Sequence, residues 1–302
     1  MTIALLFLLA SCGSGGTDKK SVAEDTAPGP MEDLFTFVVF ADPHLTESSL
    51  EHQERLSAAV EWTNAQENVE LVVVVGDIGW DGGLPIAKAL LDGLDAPYLP
   101  IIGDNEVHIG AEQTFDQVFT EQYDLLATLF DDFERGPVEV LNPEHGVTSW
   151  FQNMSFRYRG LEFIGLDWCS RSEDTLLGEM ADLHDFDGGT FPYFTDRLGK
   201  ISAGADENVL LFSHHPMYLS PGAFNLDKMD ALTAETRPFE DRIAAAWAGH
   251  YHISWDEEVQ AGGYSIHITD ATWDDENTVR VVKVRGNDNR FEFEQELVVV
   301  GP

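Results

Sequence analysis

Apolar runs of strand length alternate with helical stretches and short polar clusters in the first third of the chain. The first run follows Leu34 and reads FTFVVFA, a second covers residues 69–75, and a third covers residues 97–102. Residues 51–67 carry apolar side chains at helical spacing, and residues 84–94 are also predicted to be helical. This order predicts βαβ units with parallel strands, whose carboxyl ends are where ligands bind.

The rest of the chain has a more mixed pattern. Residues 113–133 are predicted to form a helix, and residues 148–168 contain two alternating runs separated by Arg159 and Gly160, which is typical of a β-hairpin. Residues 170–189 are acidic and weakly patterned, which favours a long loop near the mouth of the site. The remaining apolar runs are predicted to be strands, of which the last three are expected to complete a second sheet: 208–212, 263–269, 277–284 and 291–300.

The composition is that of a globular but strongly acidic protein. The chain has 302 residues, is 43% hydrophobic, and carries 54 acidic against 17 basic side chains, for a formal net charge of −37. This balance argues against a nucleic-acid-binding surface built on Lys and Arg. An acidic shell also repels anionic substrates, so a phosphate ester would need local positive charge of the kind that bound divalent metals supply.

The first residues have the features of an export signal. Residues 1–11 form an apolar stretch too short to span a bilayer, and they end in small residues before Cys12. The run LASC that ends at Cys12 resembles a bacterial lipobox, which predicts cleavage, lipid attachment at Cys12 and anchoring in the cell envelope, facing the periplasm or the surface. An ordinary secretory signal or a mistaken start are the alternatives. Residues 12–33, rich in Gly, Ser, Pro and charge, are predicted to be a flexible tether.

Three aspartates and four histidines stand at or just after the apolar runs and are the candidate metal ligands. They are Asp42, His44, Asp77, Asp104, His214, His250 and His252. Carboxylate oxygens mixed with imidazole nitrogens suit Mn, Fe or Zn, and the chain has no set of cysteines for a thiolate-bound structural zinc. Each cluster is a weak signal alone, but five such clusters in order are a strong one.

The order of these clusters resembles the signature of the calcineurin-like metallophosphoesterases, over residues 34 to about 270. The matching motifs are Asp42-x-His44, Gly76-Asp77, Gly103-Asp104-Asn105-Glu106, His214 and Gly249-His250-x-His252. The resemblance implies an α/β fold with two face-to-face mixed β-sheets flanked by helices. It also implies that residues 34–302 form one catalytic domain.

The resemblance further implies a site with two metal ions that hydrolyses phosphoric monoesters or diesters. One ion is expected on Asp42, His44, Asp77 and His252, and the other on Asp77, Asp104, His214 and His250, so that Asp77 bridges them. A hydroxide between two ions about 3.5–4 Å apart would attack phosphorus in line with the leaving oxygen. The implied substrate is a small phosphoester.

The third motif departs from the family pattern. Asp104 replaces the usual ligand Asn, which adds negative charge, and Asn105 replaces a His that assists the leaving group. Asn105 cannot donate a proton as an acid would, so esters with poor alkoxide leaving groups are expected to react slowly. His215 and His108 are the candidate replacement donors. Glu106 resembles the family's acidic residue that orients its neighbour.

The alternative function is a lipid-anchored metal-binding or scaffold protein of the same fold with little turnover. A metalloprotease is disfavoured because no His-Glu-x-x-His helix is present in the sequence. Three further histidines, His145, His184 and His267, have no motif around them and are expected to be solvated or structural. Trp80 and Tyr251 stand beside motif residues, where they could line the pocket or serve in ordinary packing.

Overall fold

The computed structural model describes residues 29–108, 110–172, 180–201, 208–218, 220, 222–258, 263–273, 276–287 and 290–301. The predicted signal peptide at 1–11, the lipid-attachment residue Cys12 and most of the predicted tether lie outside these residues. The first strand begins at Glu32, so the last two residues of the predicted tether belong to the folded region.

The first sheet contains the three parallel strands that the sequence predicted. β1 (Glu32–Phe40), β2 (Val69–Val75) and β3 (Tyr98–Ile101) lie side by side. β2 has the sequence VELVVVV and is buried on both faces over its last five residues, as expected for a strand covered on both sides. Pro100 is tolerated in β3 because this strand lies at the sheet edge, where one side needs no ladder donor.

The last two strands complete this first sheet, so the expectation that they belong to the second sheet is wrong. β13 (Thr278–Asn287) pairs antiparallel with β1, and β14 (Arg290–Val299) pairs antiparallel with β13. The order is β14-β13-β1-β2-β3. Without β13, the free edge of β1 would leave a row of unpaired backbone groups beside a buried strand.

The second sheet has seven strands in the order β11-β12-β10-β9-β8-β7-β4. β7 and β8 form the predicted hairpin, turning at Arg159 and Gly160, and β8, β9, β10 and β12 run parallel. A separate hairpin, β5–β6, precedes it. The bounds are β4 Asp131–Arg135, β5 Glu139–Asn142, β6 Val147–Trp150, β7 Met154–Tyr158, β8 Leu161–Leu166, β9 Asn208–Ser213, β10 Ile243–Ala248, β11 Trp255–Glu258 and β12 Ser265–Ile268.

Helices cover the outer faces of both sheets. Alternate residues of β9 show this layering, because Leu210 and Phe212 join the core between the sheets while Val209 and Leu211 join the core beneath α5 (Thr190–Ile201) and α6 (Leu226–Thr236). The helix predicted over 113–133 ends earlier, since residues 131–135 pair with β7 instead. The helices are α1 Leu50–Asn64, α2 Gly83–Leu91, α3 Asp104–His108, α4 Glu112–Leu129, α5 Thr190–Ile201 and α6 Leu226–Thr236, followed by a 3₁₀ turn at Arg237–Phe239.

Aromatic contacts join the two sheets face to face. The Phe37 ring on β1 lies 6.2 Å from the Phe163 ring, 5.8 Å from the Phe212 ring and 5.2 Å from the Trp247 ring, measured between centroids. These three partners stand on neighbouring strands of the second sheet. The predicted fold class, two mixed sheets flanked by helices, is therefore confirmed. No helix in the described part of the chain has the length and apolar character needed to cross a membrane.

Candidate metal centre

The seven candidate ligands lie just beyond the carboxyl ends of parallel strands from both sheets. Asp42 and His44 follow β1, Asp77 follows β2, Asp104 follows β3, His214 follows β9, and His250 and His252 follow β10. Backbone hydrogen bonds connect neighbouring strand ends within each sheet, since the Gly249 N–H donates to the His214 carbonyl at 3.1 Å and the His44 N–H donates to the Asp77 carbonyl at 2.8 Å. The fold thus gathers side chains that are up to 210 positions apart in the sequence.

Four of these side chains form one compact group. Asp42, His44, Asp77 and His252 each offer a ligand atom within 4.8 Å of the others. The His44 Nε2 atom lies 3.2 Å from the Asp77 Oδ2 atom, yet it is buried and makes no hydrogen bond within the described residues. A buried nitrogen without a hydrogen-bond partner is costly in a dry protein, and a cation beside it would remove that cost. The donor set therefore fits a metal ion.

A second group lies beside the first and shares Asp77 with it. Asp77, Asp104 and His214 offer ligand atoms within 4.8 Å of one another. The His214 Nδ1 atom lies 3.0 Å from the Val75 carbonyl, which can only accept, so Nδ1 carries the hydrogen and Nε2 faces the carboxylates. Nε2 lies 2.8 Å from Asp104 Oδ1 and 3.5 Å from Asp77 Oδ1.

His250 meets the second group through Asp104. Its Nδ1 atom lies 3.7 Å from Asp104 Oδ1, and Asp104, His215 and His250 form a further group with ligand atoms within 4.8 Å. His215 is fully buried, and its ring centroid lies 4.4 Å from that of His250. The structure therefore places His215 among the candidate ligands, whereas the sequence offered it as a proton donor.

Burial of several carboxylates gives the centre an unusual charge balance. Burial raises the pKa of Asp42 to about 7, although His214 opposes this shift. Burial also disfavours the charged form of Asp104, but hydrogen bonds from His214 and His250 outweigh it and hold the pKa of Asp104 well below its usual value. Burial lowers the pKa of His252 to about 4, and the neighbouring His44 adds to this effect. Bound dications would stabilise all of these groups in their ligating, deprotonated forms.

Most of the candidate ligands have a strained backbone. Five of them, none a glycine, have left-handed φ angles: Asp42 at 48°, His44 at 51°, Asp77 at 49°, His250 at 73° and His252 at 51°. Such a conformation costs about 1–3 kcal/mol at each non-glycine residue and persists where the surrounding structure holds it. This concentration of strain at one place indicates that the sequence maintains these orientations for function.

Asn105 and Glu106 hold the ligand loops in place. The Asn105 N–H donates to Asp77 Oδ1 at 3.0 Å, and its side-chain amide donates to Asp77 Oδ2. Glu106 is fully buried, and its two oxygens accept from the backbone N–H groups of Gly79 and Gly103, both at 2.7 Å. Asn105 therefore orients the shared carboxylate, and Glu106 ties the loop after β2 to the loop after β3.

Two glycines allow the ligand loops to pack closely. A Cβ atom on Gly103 would collide with the backbone nitrogen and side chain of Asp77, and one on Gly249 would collide with the carboxylate of Asp42. The sequence motifs place a glycine directly before each of these ligands, but they do not show which neighbouring groups a Cβ atom there would meet. Here they leave room for a ligand from another loop.

Two tryptophan rings pack against His44, and only one of them, Trp80, was predicted from the sequence. The centroid of the Trp273 ring lies 5.3 Å from that of His44 in a stacked geometry, and the Trp80 ring packs edge-on at 5.0 Å. The Trp273 ring also lies 5.4 Å from the His252 ring. Trp80 was a candidate, but Trp273 follows no motif and no local signal marks it.

The remaining candidates lie at the margin. His108 is exposed at the end of α3, where it lines a cavity of about 730 Å³ together with His145 and Arg171. The Tyr251 ring lies 5.1 Å from the His250 ring. Cys169, the cysteine in the described part of the chain, is buried, and burial holds the pKa of its thiol well above the usual value, which disfavours the reactive thiolate.

Comparison with known proteins gives one family match and several structural likenesses. A family model described as calcineurin-like phosphoesterase matches residues 35–254. A search of curated proteins gives no match.

Three solved structures illustrate the structural likeness. A protein of Staphylococcus aureus assigned as a 5′-nucleotidase, solved with α-ketoglutarate, aligns at 14% identity and a TM-score of 0.52, over 88% of this chain and 54% of its own. GAP50 of Plasmodium, an anchor in the inner membrane complex, aligns at 12% identity and 0.47, over 90% of each chain. The Thermus thermophilus sulfate thiohydrolase SoxB, solved with glycerol, aligns at 14% identity and 0.48, over 91% of this chain and 58% of its own. The first likeness shows a shared fold, and this chain spans about half of that longer protein.

Proposed function

Because the chain belongs to the calcineurin-like phosphoesterase family, we propose that it is a hydrolase of small phosphoric esters that works with two metal ions. The observation that carries this proposal is the orientation of Asp77. Its Oδ2 atom faces His44 at 3.2 Å, and its Oδ1 atom faces His214 at 3.5 Å. Each oxygen of this carboxylate lies beside a different histidine, so each could ligate a different ion, as a ligand shared by two neighbouring dications must.

The residues divide into two sets around Asp77. Asp42, His44 and His252 would hold one ion, and Asp104 and His214 would hold the other together with His250, with His215 close enough to replace it. When bound, such ions supply Lewis acidity toward the phosphoryl group and lower the pKa of water. The identity of the ions is proposed as Mn, Fe or Zn from the mixture of carboxylate and imidazole donors.

Hydrogen bonds within the chain orient two of the candidate ligand carboxylates, Asp77 and Asp42. Asn105 fixes both oxygens of Asp77, and the Asp42 carboxylate accepts the His250 N–H at 3.1 and 3.0 Å through its two oxygens. These contacts keep the ligands oriented before a substrate arrives, which reduces the reorganisation that the reaction would otherwise require. The pair of dications would also offset the repulsion between an anionic ester and a protein of net charge −37, because it provides positive charge where the ester must bind.

Esters with good leaving groups are the preferred substrates in this proposal. The side-chain amide of Asn105 is committed to Asp77 and has no acidic proton to give to a leaving alkoxide. His108, at the exposed end of α3, is the remaining candidate acid, since His215 lies among the candidate ligands. We therefore propose that aryl phosphates and aryl diesters react faster than their alkyl counterparts.

A substrate panel tests both parts of the proposal. The protein is stripped of metal with a chelator, reloaded with Mn²⁺ or Zn²⁺, and assayed with aryl and alkyl phosphate monoesters and diesters. We expect turnover of aryl esters only after reloading, and alkyl esters slower by about 10²-fold or more, the size of a missing general acid. Absence of turnover with either loaded metal would favour the alternative of a metal-binding scaffold. Equal rates for aryl and alkyl esters would contradict the assigned role of Asn105.

We also propose that the protein is exported, cleaved after residue 11 and anchored in the cell envelope by lipid on Cys12. The proposal rests on the apolar segment and on the LASC run that ends at Cys12. In a bacterial host, the wild-type protein should sediment with membranes, and Cys12→Ser should move it to the soluble fraction. Ser14→Ala, two residues away, should leave the distribution unchanged. A wild-type protein found only in the soluble fraction would overturn the proposed anchor.

A further inference from the structure

A second cluster of metal-ligand side chains lies outside the centre described above. Glu144, Asp182 and His184 each offer a ligand atom within 4.8 Å of the others, and none of them belongs to the seven residues of the main centre. Glu144 stands in the turn between β5 and β6, and Asp182 and His184 lie between β8 and α5. The cluster therefore joins two parts of the chain that are about 40 residues apart.

His184 supplies an unpaired nitrogen to this cluster. The residue is fully buried, and its ring packs between Phe151 and Phe186, with centroids at 4.8 and 6.0 Å. Its Nε2 atom lies 2.8 Å from the carbonyl of Cys169, which can only accept, so Nε2 carries the hydrogen. Its Nδ1 atom is buried and has no hydrogen-bond partner in the part of the chain that the structure describes. That nitrogen presents a bare lone pair.

The backbone of His184 is held in an uncommon conformation. Its φ angle is 52°, in the left-handed region that non-glycine residues seldom adopt. Five candidate ligands of the main centre share this feature. Such a conformation is costly and persists because the surrounding structure holds the residue in place.

Hydrogen bonds hold the Asp182 carboxylate and the backbone of Glu144, whose side chain is exposed. Asp182 Oδ1 accepts from Lys228 Nζ at 3.0 Å and from the Leu183 N–H at 2.7 Å, which leaves Oδ2 for another partner. Glu144 lies in a turn that is closed by Asn142, whose side-chain oxygen accepts the Glu144 N–H at 2.9 Å. The anchored turn therefore places Glu144 where its carboxylate lies within 4.8 Å of the ligand atoms of Asp182 and His184.

Three electron-pair donors thus converge, with the cation Lys228 beside Asp182 and the cation Arg171 near His184. Burial raises the pKa of Glu144, and the charge of Asp182 adds to this effect, as expected for carboxylates that repel each other. Lys228 reaches Asp182 and the carbonyl of Ala181, so its contacts lie on the Asp182 side of the cluster. A lone pair and two carboxylates facing one another are stabilised when a cation lies between them.

We propose that His184 Nδ1, Asp182 and Glu144 bind one divalent transition-metal ion, separate from the proposed dinuclear centre. One imidazole and two carboxylates with a fourth position open to water match the donor sets of Zn²⁺ and Mn²⁺ sites. The Nε2 hydrogen bond to the Cys169 carbonyl is the outer contact that commonly orients a ligating histidine. The ion would pin the β5–β6 turn to the segment after β8, on the wall of the cavity that Glu144 and Arg171 line.

Metal counting with matched variants tests this site. The full-length protein, Glu144→Gln and Glu139→Gln are each dialysed against Zn²⁺ or Mn²⁺ alone, and bound metal per chain is measured by mass spectrometry. Glu139→Gln is the control, because this exposed carboxylate lies on the same hairpin outside the cluster. We expect the wild type and the control to bind one more ion than Glu144→Gln, or to bind that ion about 10–100-fold more tightly. The comparison does not depend on how many ions the main centre holds.

A second variant covers the buried ligand. His184→Gln keeps a side chain of similar length but removes the imidazole lone pair, and circular dichroism reports whether it folds. If it folds, it should show the same loss of one ion as Glu144→Gln, with the remaining bound metal unchanged. Equal metal content and affinity in the wild type, Glu144→Gln and Glu139→Gln would overturn the proposal.

Discussion

Asp77→Asn is expected to remove at least one of the two proposed metals and to lower kcat for an aryl phosphate by about 10³-fold or more. The two oxygens of Asp77 face different histidines, and an amide keeps one oxygen but replaces the other with a group that donates hydrogen bonds. A metal ion contributes several kcal/mol to the transition state, and each 1.36 kcal/mol is a factor of ten in rate. Metal content by mass spectrometry and steady-state kinetics measure the two effects.

Asp81→Asn is the matched control for this change. Asp81 is exposed, lies four residues further along the same loop, and also has a left-handed φ angle, of 45°. The same substitution there changes the net charge equally, so it reports any general electrostatic effect. If Asp77→Asn kept both metals and a turnover close to that of Asp81→Asn, Asp77 would not be a shared ligand.

Arg171→Met is expected to reduce the free energy of unfolding by about 3–5 kcal/mol, the usual cost of breaking a buried ion pair from one side. The guanidinium makes a bidentate contact with Asp167, at 2.7 Å for each nitrogen, and also contacts Glu112 at 3.0 Å. The Arg171 side chain is only 2% exposed and stacks over the Phe151 ring at 4.4 Å. Methionine fills similar space but leaves the buried Asp167 carboxylate without its counter-charge.

The effect of Arg171 should exceed that of a surface arginine. Arg157 also contacts two acids, but its side chain is 38% exposed, and exposed ion pairs contribute about 0–1 kcal/mol. Urea denaturation of Arg171→Met and Arg157→Met at the same pH compares the two. Similar losses in both variants would show that the Arg171, Asp167 and Glu112 contacts do not stabilise this part of the fold.

The features predicted correctly are those that local sequence encodes. The three apolar runs before Asp42, Asp77 and Asp104 form neighbouring parallel strands. Because the strands are parallel, their carboxyl ends lie at the same edge of the sheet. A continuous apolar run followed by a polar cluster needs only a few adjacent residues to be recognised. The sequence therefore predicted the fold class and the residues that converge at this edge.

The features that were missed depend on distant pairing. β13 joins β1 across more than 200 residues, and the apolar pattern of residues 277–284 is compatible with either sheet. Trp273 packs on His44, and Glu144 approaches His184, for the same reason. His214 and His215 are adjacent in the sequence and both lie in groups that include Asp104, so the sequence alone did not show that His215 also approaches this carboxylate.

Anomalous X-ray scattering from crystals grown with Mn²⁺ is the most direct test of the proposed two-metal site. We expect two peaks about 3.5–4 Å apart, with one oxygen of Asp77 directed to each. His44 should ligate the first ion and His214 the second. A single peak, or two peaks that do not share Asp77, would contradict the proposed two-metal site with Asp77 as its shared ligand.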